Sequence, residues 1–455
     1  MDTIAAIATG SSRSAIGIVR ISGSLALTAA DKVFCPSCSV SILNAKNKRL
    51  YYGELTDADG ELIDLCLCMV SRAPSSYTGE DTVEFHCHGS PVVLAEVLRV
   101  LSTQGVRLAE PGEFTKRAFL HGCMDLSQAE AVIDLIESET TAAAKNAVGQ
   151  LRGTIGKKMQ SVYKQLLEVV AHFHAVIDYP DEDIDEFRMK NYRSLLQKTE
   201  SELRRMLETH ERGNFLREGI PTAIVGRTNT GKSSLLNALL GYDRAIVTDI
   251  AGTTRDTIEE KLLVGNVLLR LIDTAGLRKA SNTIEKLGIE RTLITLDNAK
   301  LVILVLDGSE PMTSEDCDVF QSIPESTPLI VAVNKSDLPA KLTSQQLERL
   351  KTGYVKISAL SGEGLDLLVE EIHKLFPEYN TSASGELISN RRQAEAISRA
   401  ADSISLAAAA LAAQTTPDAV LADIEAALIS IGEVTGKTMR EDIVSKIFER
   451  FCVGK

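Results

Sequence analysis

Gly226-Arg227-Thr228-Asn229-Thr230-Gly231-Lys232-Ser233 is a G-x-x-x-x-G-K-[ST] loop, and the chain around it has the context such a loop needs. Ile220-Pro221-Thr222-Ala223-Ile224-Val225 precedes it as a β-branched, apolar run of strand length. Ser234-Leu235-Leu236-Asn237-Ala238-Leu239-Leu240 follows with helix formers, and Gly241 can close that helix. A strand, a glycine loop and a helix N-terminus turn several backbone N–H groups and the positive end of a helix dipole toward one anion. Lys232 then reaches the β- and γ-phosphates of a nucleotide, and the Ser233 hydroxyl ligates Mg²⁺. A chance match is expected on the order of once in fifty to a hundred chains of this length. The strand–helix context lowers that further, so the stretch reads as a nucleotide site.

Further signals follow in a fixed order. Asp273-Thr274-Ala275-Gly276 comes after a strand, where Asp273 holds Mg²⁺ through water and the Gly276 N–H meets the γ-phosphate. Asn334-Lys335-Ser336-Asp337 comes after the fifth strand of the segment. A carboxylate at Asp337 can accept from both N1–H and the 2-amino group of guanine, and adenine offers neither donor there, so the base is guanine. Ser358-Ala359-Leu360 can offer a backbone N–H to O6. Gly252-Thr253-Thr254-Arg255-Asp256 lies in a long loop, and Thr254 supplies the second hydroxyl for Mg²⁺. Leu277 stands where Ras-type GTPases carry a water-orienting Gln, so hydrolysis needs another group to place the water.

The 455 residues are 44% hydrophobic, enough for several cores, and the length suggests more than one domain. With no Trp and 4% aromatics, those cores are aliphatic. A net charge of −13 argues against a protein that coats nucleic acid non-specifically, although a local basic surface stays open. Met1-Asp2-Thr3-Ile4 lacks a cationic leader, and the longest apolar run, Leu406 to Ala413, is too short to span a bilayer. A cytoplasmic protein with no membrane association is the expectation. The eight cysteines are scattered, as in a reducing compartment. Cys35-Pro36-Ser37-Cys38 with His86 and His88 could make a zinc site, but a two-thiol loop beside a histidine-bearing strand is the preferred reading. Cys66 and Cys68 read as strand core.

The expected fold is multidomain. Residues 1–119 form an α+β domain, with strands at Ile4–Ala8, Gly17–Ile21, Leu50–Leu55, Leu62–Val70 and Thr82–His86 and a helix at Pro91–Leu101. Residues 120–215 and 379–455 form one discontinuous helical domain. Its first long helix carries Val162, Leu166, Val169, Phe173 and Ile177 on one face, and the acidic run Asp181 to Glu186 breaks it as a solvated loop. A second helix runs from Leu195 to Leu207 and ends near Gly213. Later helices fall at Asn390–Ala413, Asp418–Ile431 and Arg440–Phe451. Residues 216–378 alternate strand and helix as an inserted α/β P-loop domain of Ras-like type.

The stretches Gly226 to Ser233, Asp249-Ile250-Ala251-Gly252-Thr253-Thr254-Arg255-Asp256 and Asp273-Thr274-Ala275-Gly276-Leu277-Arg278 resemble the tRNA modification GTPase family (MnmE/TrmE), over essentially the whole chain. So do Thr3 to Thr9, Gly17 to Gly23, Tyr77-Thr78-Gly79-Glu80-Asp81, Pro111-Gly112-Glu113-Phe114-Thr115 and the terminal Cys452-Val453-Gly454-Lys455. The resemblance implies GTP hydrolysis when two G domains dimerise, with K⁺ in the place of an arginine finger. Asn229, Thr248, Ile250 and Thr253 would hold that K⁺. It implies GTP and GDP contacts from Asn229, Thr230, Gly231, Lys232, Ser233, Ser234, Thr248, Thr253, Thr254, Asp273, Gly276, Asn334, Lys335, Asp337, Ser358 and Ala359. Glu285 matches the catalytic glutamate that positions water through a second water, and Arg278 steadies the switch rather than acting as a finger.

The same resemblance implies an N-terminal domain that dimerises and binds a 5-formyl- or methylene-tetrahydrofolate. Arg20 would pair a carboxylate and Glu84 would accept from pterin N–H groups. His121-Gly122-Cys123 replaces the family's Asn-Gly-Lys, so Cys123 occupies a lysine's place and Lys455 is left to share its charge role. Cys452 would point toward the folate and take part in the modification chemistry. The implied assembly is a homodimer joined by an FAD-dependent protein of the MnmG/GidA type as a heterotetramer, with FAD on that partner only. Its implied product is an aminomethyl or carboxymethylaminomethyl group at C5 of the wobble uridine (position 34) of certain tRNAs. The alternatives are a ribosome-assembly GTPase of the Era/EngA kind, which would carry a basic appendage, and a non-catalytic guanine-nucleotide scaffold. The Mg²⁺ set Ser233, Thr254 and Asp273 argues against the scaffold.

Overall fold

The computed structural model describes residues 2–10, 12–178, 186–242, 260–272, 296–348, 350, 352–377, 385–449 and 451–454. The chain divides into two compact units. One comprises Met1–Ile133, Leu151–Thr199 and Arg399–Lys455; the other comprises Asp134–Gln150 and Glu200–Ser398. Among the described residues no helix is long and apolar enough to cross a membrane.

The first unit holds a seven-stranded sheet of order β3-β4-β5-β6-β2-β1-β7. The strands are β1 (Ile4–Ile7), β2 (Ser14–Ser22), β3 (Phe34–Pro36), β4 (Arg49–Thr56), β5 (Leu62–Ser71), β6 (Thr82–Gly89) and β7 (Arg107–Leu108). Only the β1–β7 pair is parallel. The period-two pattern of these strands has a direct consequence. Val83, Phe85 and Cys87 of β6 turn into a core with α1 (Ala26–Val33) and α2 (Pro91–Thr103), while Glu84, His86 and His88 turn to the other face. Cys66 and Cys68 lie in that core as expected. The neighbouring Cys87 thiol, with burial, pushes the Cys66 thiol pKa far up. On the outer face Leu50, Tyr52, Leu65 and Leu67 remain exposed, an apolar patch on an otherwise acidic protein.

Helix α3 (Glu113–Leu120) carries Arg117, only 4% exposed, whose guanidinium pairs with Asp2, Glu80 and Glu113. Despite burial, Arg107, the Glu110 N–H and Arg117 hold the Glu113 carboxyl at about 2. This tie therefore contributes stability above the ordinary carboxylate range and loses it as pH falls toward 2. Helices α4 (Leu126–Ile136), α5 (Thr141–Leu151), α6 (Thr154–Asp178) and α7 (Glu186–Glu208) follow. The α6 stripe Val162, Leu166, Val169 and Phe173 is buried, and α6 packs along the helix Pro417–Thr435. Ile177 is only half-buried. Of the acidic run, Asp181 to Asp185 lie outside the described residues and Glu186 opens α7.

Two local expectations need correction. Gly213 does not end a helix; it lies inside α8 (His210–Glu218). A Cβ there would stand 2.3 Å from the Ile388 carbonyl oxygen, so the glycine permits close backbone approach rather than termination. The last helix, Glu441–Phe448, stops three residues before Phe451, which packs back on Phe448 with ring centroids 4.9 Å apart.

The second unit holds a six-stranded sheet of order β13-β12-β11-β8-β10-β9. Its strands are β8 (Ile220–Val225), β9 (Glu260–Val264), β10 (Val267–Leu271), β11 (Leu301–Asp307), β12 (Leu329–Asn334) and β13 (Tyr354–Lys356). All pairs but β9–β10 are parallel. β8 and β11 are buried along their full length, because a central parallel strand is covered on both faces. The first strand, β8, sits between β10 and β11, the point where strand order reverses. Parallel pairing brings the carboxyl ends of β8, β11 and β12 to one edge, and a doubly wound sheet binds its ligand there.

Candidate functional site

The loop Gly226 to Ser233 leaves the end of β8 and enters α9 (Lys232–Tyr242). Its backbone needs glycine at two places. Gly226 has φ +149° and Gly231 φ +96°, and a Cβ would lie 2.3 Å from the Val305 carbonyl oxygen at the first and 2.2 Å from Asn334 Nδ2 at the second. Asn229 also takes a left-handed φ of 63°, which a short amide side chain tolerates. Its side chain is exposed, as are those of Ser233 and Ser234 in the first turn of α9. Lys232 Nζ donates to the carbonyls of Gly226 and Arg227, each at 2.7 Å, so the ammonium is folded over the loop that a phosphate would occupy. Burial holds its pKa below the usual lysine range.

Asn334 joins the loop to the base-reading segments. Its Nδ2 donates to the Thr230 carbonyl at 2.8 Å, and its Oδ1 accepts from the Ala359 N–H at 2.9 Å. The residue is 2% exposed, so these bonds satisfy an otherwise orphaned amide. Ser358 Oγ donates to Asp337 Oδ1 at 2.6 Å, which orients an exposed carboxylate beside the same loop. Lys335, with φ 66°, donates to Asp307 Oδ2 at 2.5 Å. Burial works against the Asp307 carboxylate, yet Lys335 and Ser309 still hold its pKa low. Asp307 was missed in the sequence; the signal was an acid closing the apolar run Leu301 to Leu306 at the carboxyl edge of a parallel sheet.

Asn229, Thr230, Gly231, Lys232, Ser233, Ser234, Asn334, Lys335, Asp337, Ser358 and Ala359 are thus gathered, on loops, the end of β12 and the first turn of α9, at one edge of one sheet. Thr248, Ile250, Thr253, Thr254, Asp273, Gly276, Leu277, Arg278, Glu285 and Lys455 lie outside the described residues. Replacing Gly231 with Ala forces the new methyl onto Asn334 at an unfavourable φ. We expect Gly231→Ala to weaken GDP binding by about tenfold to a hundredfold, at one to three kcal/mol of strain. Titration with a fluorescent GDP analogue checks this, and an unchanged affinity would mean the Asn334 tie is dispensable.

In the first unit Arg20 and Glu84 are register partners on β2 and β6, with Arg20 Nε donating to Glu84 Oε1 at 2.7 Å. The Arg20 guanidinium lies over the Tyr77 and Phe114 rings, 5.3 and 5.7 Å from their centroids. His86 first, then Arg20, hold the Glu84 carboxyl below its usual range against the cost of burial. Cys123 is exposed, and its Sγ lies where a Cβ on Gly79 would approach to 3.0 Å. It therefore flanks the same Tyr77–Asp81 loop whose Tyr77 faces Arg20.

The chain end also comes to this region. Gly112 N–H donates to the Cys452 carbonyl at 3.2 Å, and a Cβ on Gly454 would lie 2.2 Å from the Ile7 carbonyl oxygen. Ile7 neighbours Ala6, the register partner of Arg20. Cys452 is exposed between these two anchors. Cys35 and Cys38 are exposed, His88 is held by Asp64 at 2.7 Å, and no cluster of three metal-type ligands occurs among the described residues.

A family model described as GTP-binding protein TrmE N-terminus matches residues 3–123, and one described as MnmE helical domain matches residues 126–452. The chain is 42% identical to the tRNA modification GTPase MnmE of Carboxydothermus hydrogenoformans, covering 100% of this chain and 99% of that one. It is 41% identical to the tRNA modification GTPase MnmE of Thermoanaerobacter pseudethanolicus, over 100% of this chain and 99% of the relative. A third protein of that name, from Lacticaseibacillus paracasei, is 41% identical over 100% and 98%. The P-loop sheet, the N-terminal domain and the full-length match leave no room for the ribosome-assembly alternative: the chain belongs to the MnmE (TrmE) family of tRNA modification GTPases.

Proposed function

We propose that the protein couples GTP hydrolysis by paired G domains to modification of C5 of the wobble uridine at position 34 of certain tRNAs. The group added is of the aminomethyl or carboxymethylaminomethyl type, with a 5-formyl- or methylene-tetrahydrofolate supplying the carbon. The observation that carries this reading is the placement of the chain end. Cys452 is anchored between Gly112, just before α3, and Ile7 of β1, the strand that pairs with the Arg20 strand, within the unit that also holds Arg20 and Glu84. A thiol next to a one-carbon donor is chemically suited to group transfer.

In the G domain, Lys232 would trade its loop carbonyls for phosphate oxygens, and Asp337 would read the guanine edge. The residues suit the two cations. Ser233 is exposed at the start of α9, where with Thr254 and Asp273 it would hold Mg²⁺. Asn229 offers an exposed amide oxygen at the corner of the loop, where with Thr248, Ile250 and Thr253 it would hold K⁺. Bound there, the cations would neutralise charge developing on the phosphates. Leu277 cannot orient water, so Glu285 would, while Arg278 steadies the switch. The exposed Leu50, Tyr52, Leu65 and Leu67 face suits a homodimer contact, and an FAD-bearing protein of the MnmG/GidA type would complete a heterotetramer that receives the tRNA.

Nucleoside mass spectrometry of tRNA from a deletion strain tests the assignment. Loss of the modified wobble uridine is the expected result; an unchanged nucleoside profile would reject it. The cation role has its own test, because GTP turnover should rise severalfold when K⁺ replaces Na⁺ at equal ionic strength. Equal rates would remove Asn229 from that role.

A further inference from the structure

His86, on the outward-facing side of β6, has so far had one part only, helping to hold Glu84 ionised. It shares a face with Glu84 two residues earlier and lies across from Ile18 of β2 and Leu67 of β5. His88 is engaged by Asp64 at 2.7 Å, whereas His86 Nε2 reaches Glu84 Oε2 only at 3.5 Å, an ion-pair contact longer than a normal N–H···O hydrogen bond. The charged groups around it are Glu84 on its own strand and Arg20 on β2, and its β5 partner, Leu67, is apolar. A half-buried imidazole nitrogen held at that distance has a loose partner, and a ligand acceptor beside Glu84 would give it a closer one.

We propose that His86 is a specificity-determining contact for the pteridine ring at the Arg20–Glu84 site. The inference rests on the folate reading given above. A reduced folate presents a 2-amino-4-oxo edge, with two N–H donors at N2 and N3 beside a carbonyl at C4. Glu84, held as a carboxylate, can only accept, so it takes the two donors. The next atom on that edge is an acceptor and requires a donor beside the carboxylate. His86 Nε2, 3.5 Å from Oε2, is in the place to supply that N–H to O4. Arg20 Nε already donates to Glu84 Oε1, on the other carboxylate oxygen from the one His86 faces, so His86 is the donor on the Oε2 side. His86 therefore selects a 4-oxo ring over a 4-amino ring, whose donor would face its N–H.

The test is calorimetric titration of the nucleotide-free full-length protein with 5-formyltetrahydrofolate and with its 4-amino-4-deoxy counterpart. Wild type should bind the oxo ligand more tightly. His86→Ala should weaken the oxo ligand about tenfold, the loss of one well-placed hydrogen bond, and bind the amino ligand as tightly as wild type or more so, because the opposing donor is gone. His86→Gln keeps a donor and should retain the oxo preference, while His86→Glu, an acceptor, should invert it. Equal weakening of both ligands by His86→Ala would show that the residue acts only by holding Glu84, and no change in either would remove it from the site; both results overturn the proposal. The folate reading fails separately, if wild type binds neither ligand or if Arg20→Ala and Glu84→Gln leave binding intact. An unchanged circular dichroism spectrum and melting temperature in each His86 variant control for folding.

Discussion

Asp337→Asn should turn the protein from a GTPase into a xanthosine triphosphatase. The wild-type carboxylate can accept from guanine N1–H and the 2-amino group together, two charge-assisted hydrogen bonds worth about 1.5–3 kcal/mol each. Asparagine keeps one acceptor, and the Ser358 Oγ bond at 2.6 Å gives that oxygen a donor and fixes which way the amide lies. The new NH₂ then faces the 2-amino group of guanine, donor against donor. In xanthine the same position is a carbonyl, which the amide satisfies. We expect kcat/KM for GTP to fall by about a hundredfold to ten-thousandfold. Xanthosine triphosphate should gain most of what GTP loses. Steady-state kinetics with both nucleotides measure this directly. Retained GTP preference would mean that Asp337 does not read the base.

The residues of that switch differ in how much the sequence disclosed them. The loop Gly226 to Ser233 and the Asn334 to Asp337 segment were legible because each is a contiguous string closing an apolar, strand-length run. The inserted sheet was legible for the same reason: β8, β11 and β12 are continuous hydrophobic runs, as buried parallel strands must be. The Asn334 tie between Thr230 and Ala359 was not, because it joins residues 104 and 25 positions apart through strand order. β3 has three residues and β7 two, too short to show a period. Gly213 misled for a related reason. A glycine inside a helix reads as a stop, and only the Ile388 carbonyl pressed against it shows why it is there. The aromatic bracket of Tyr77 and Phe114 on Arg20 was equally hidden, since the three residues come from a loop, a helix and a strand.

Cys452→Ser should separate the two activities, abolishing wobble-uridine modification while leaving GTP turnover unchanged. The structural ground is that Cys452 is anchored by its neighbours rather than by its own side chain. Phe451 is 5% exposed and packs at a tilt against Phe448, the Cys452 carbonyl accepts from the Gly112 N–H, and Gly454 sits on the Ile7 carbonyl. Exchanging an exposed sulfur for oxygen disturbs none of these contacts, so the tail should keep its path beside β1. What changes is chemistry: a serine hydroxyl is a far weaker nucleophile than a thiol. The G-domain loop lies in the other compact unit and shares no residue with the tail, so hydrolysis has no reason to fall. Complementing a deletion strain with Cys452→Ser and digesting its tRNA would show unmodified wobble uridine in place of the product. Gly454→Ala is the companion variant, because its Cβ would collide with the Ile7 carbonyl at 2.2 Å and lift the tail with the thiol intact. It should lose modification to a similar extent if position matters as much as sulfur. Normal nucleosides in both variants would reject a chemical role for the chain end.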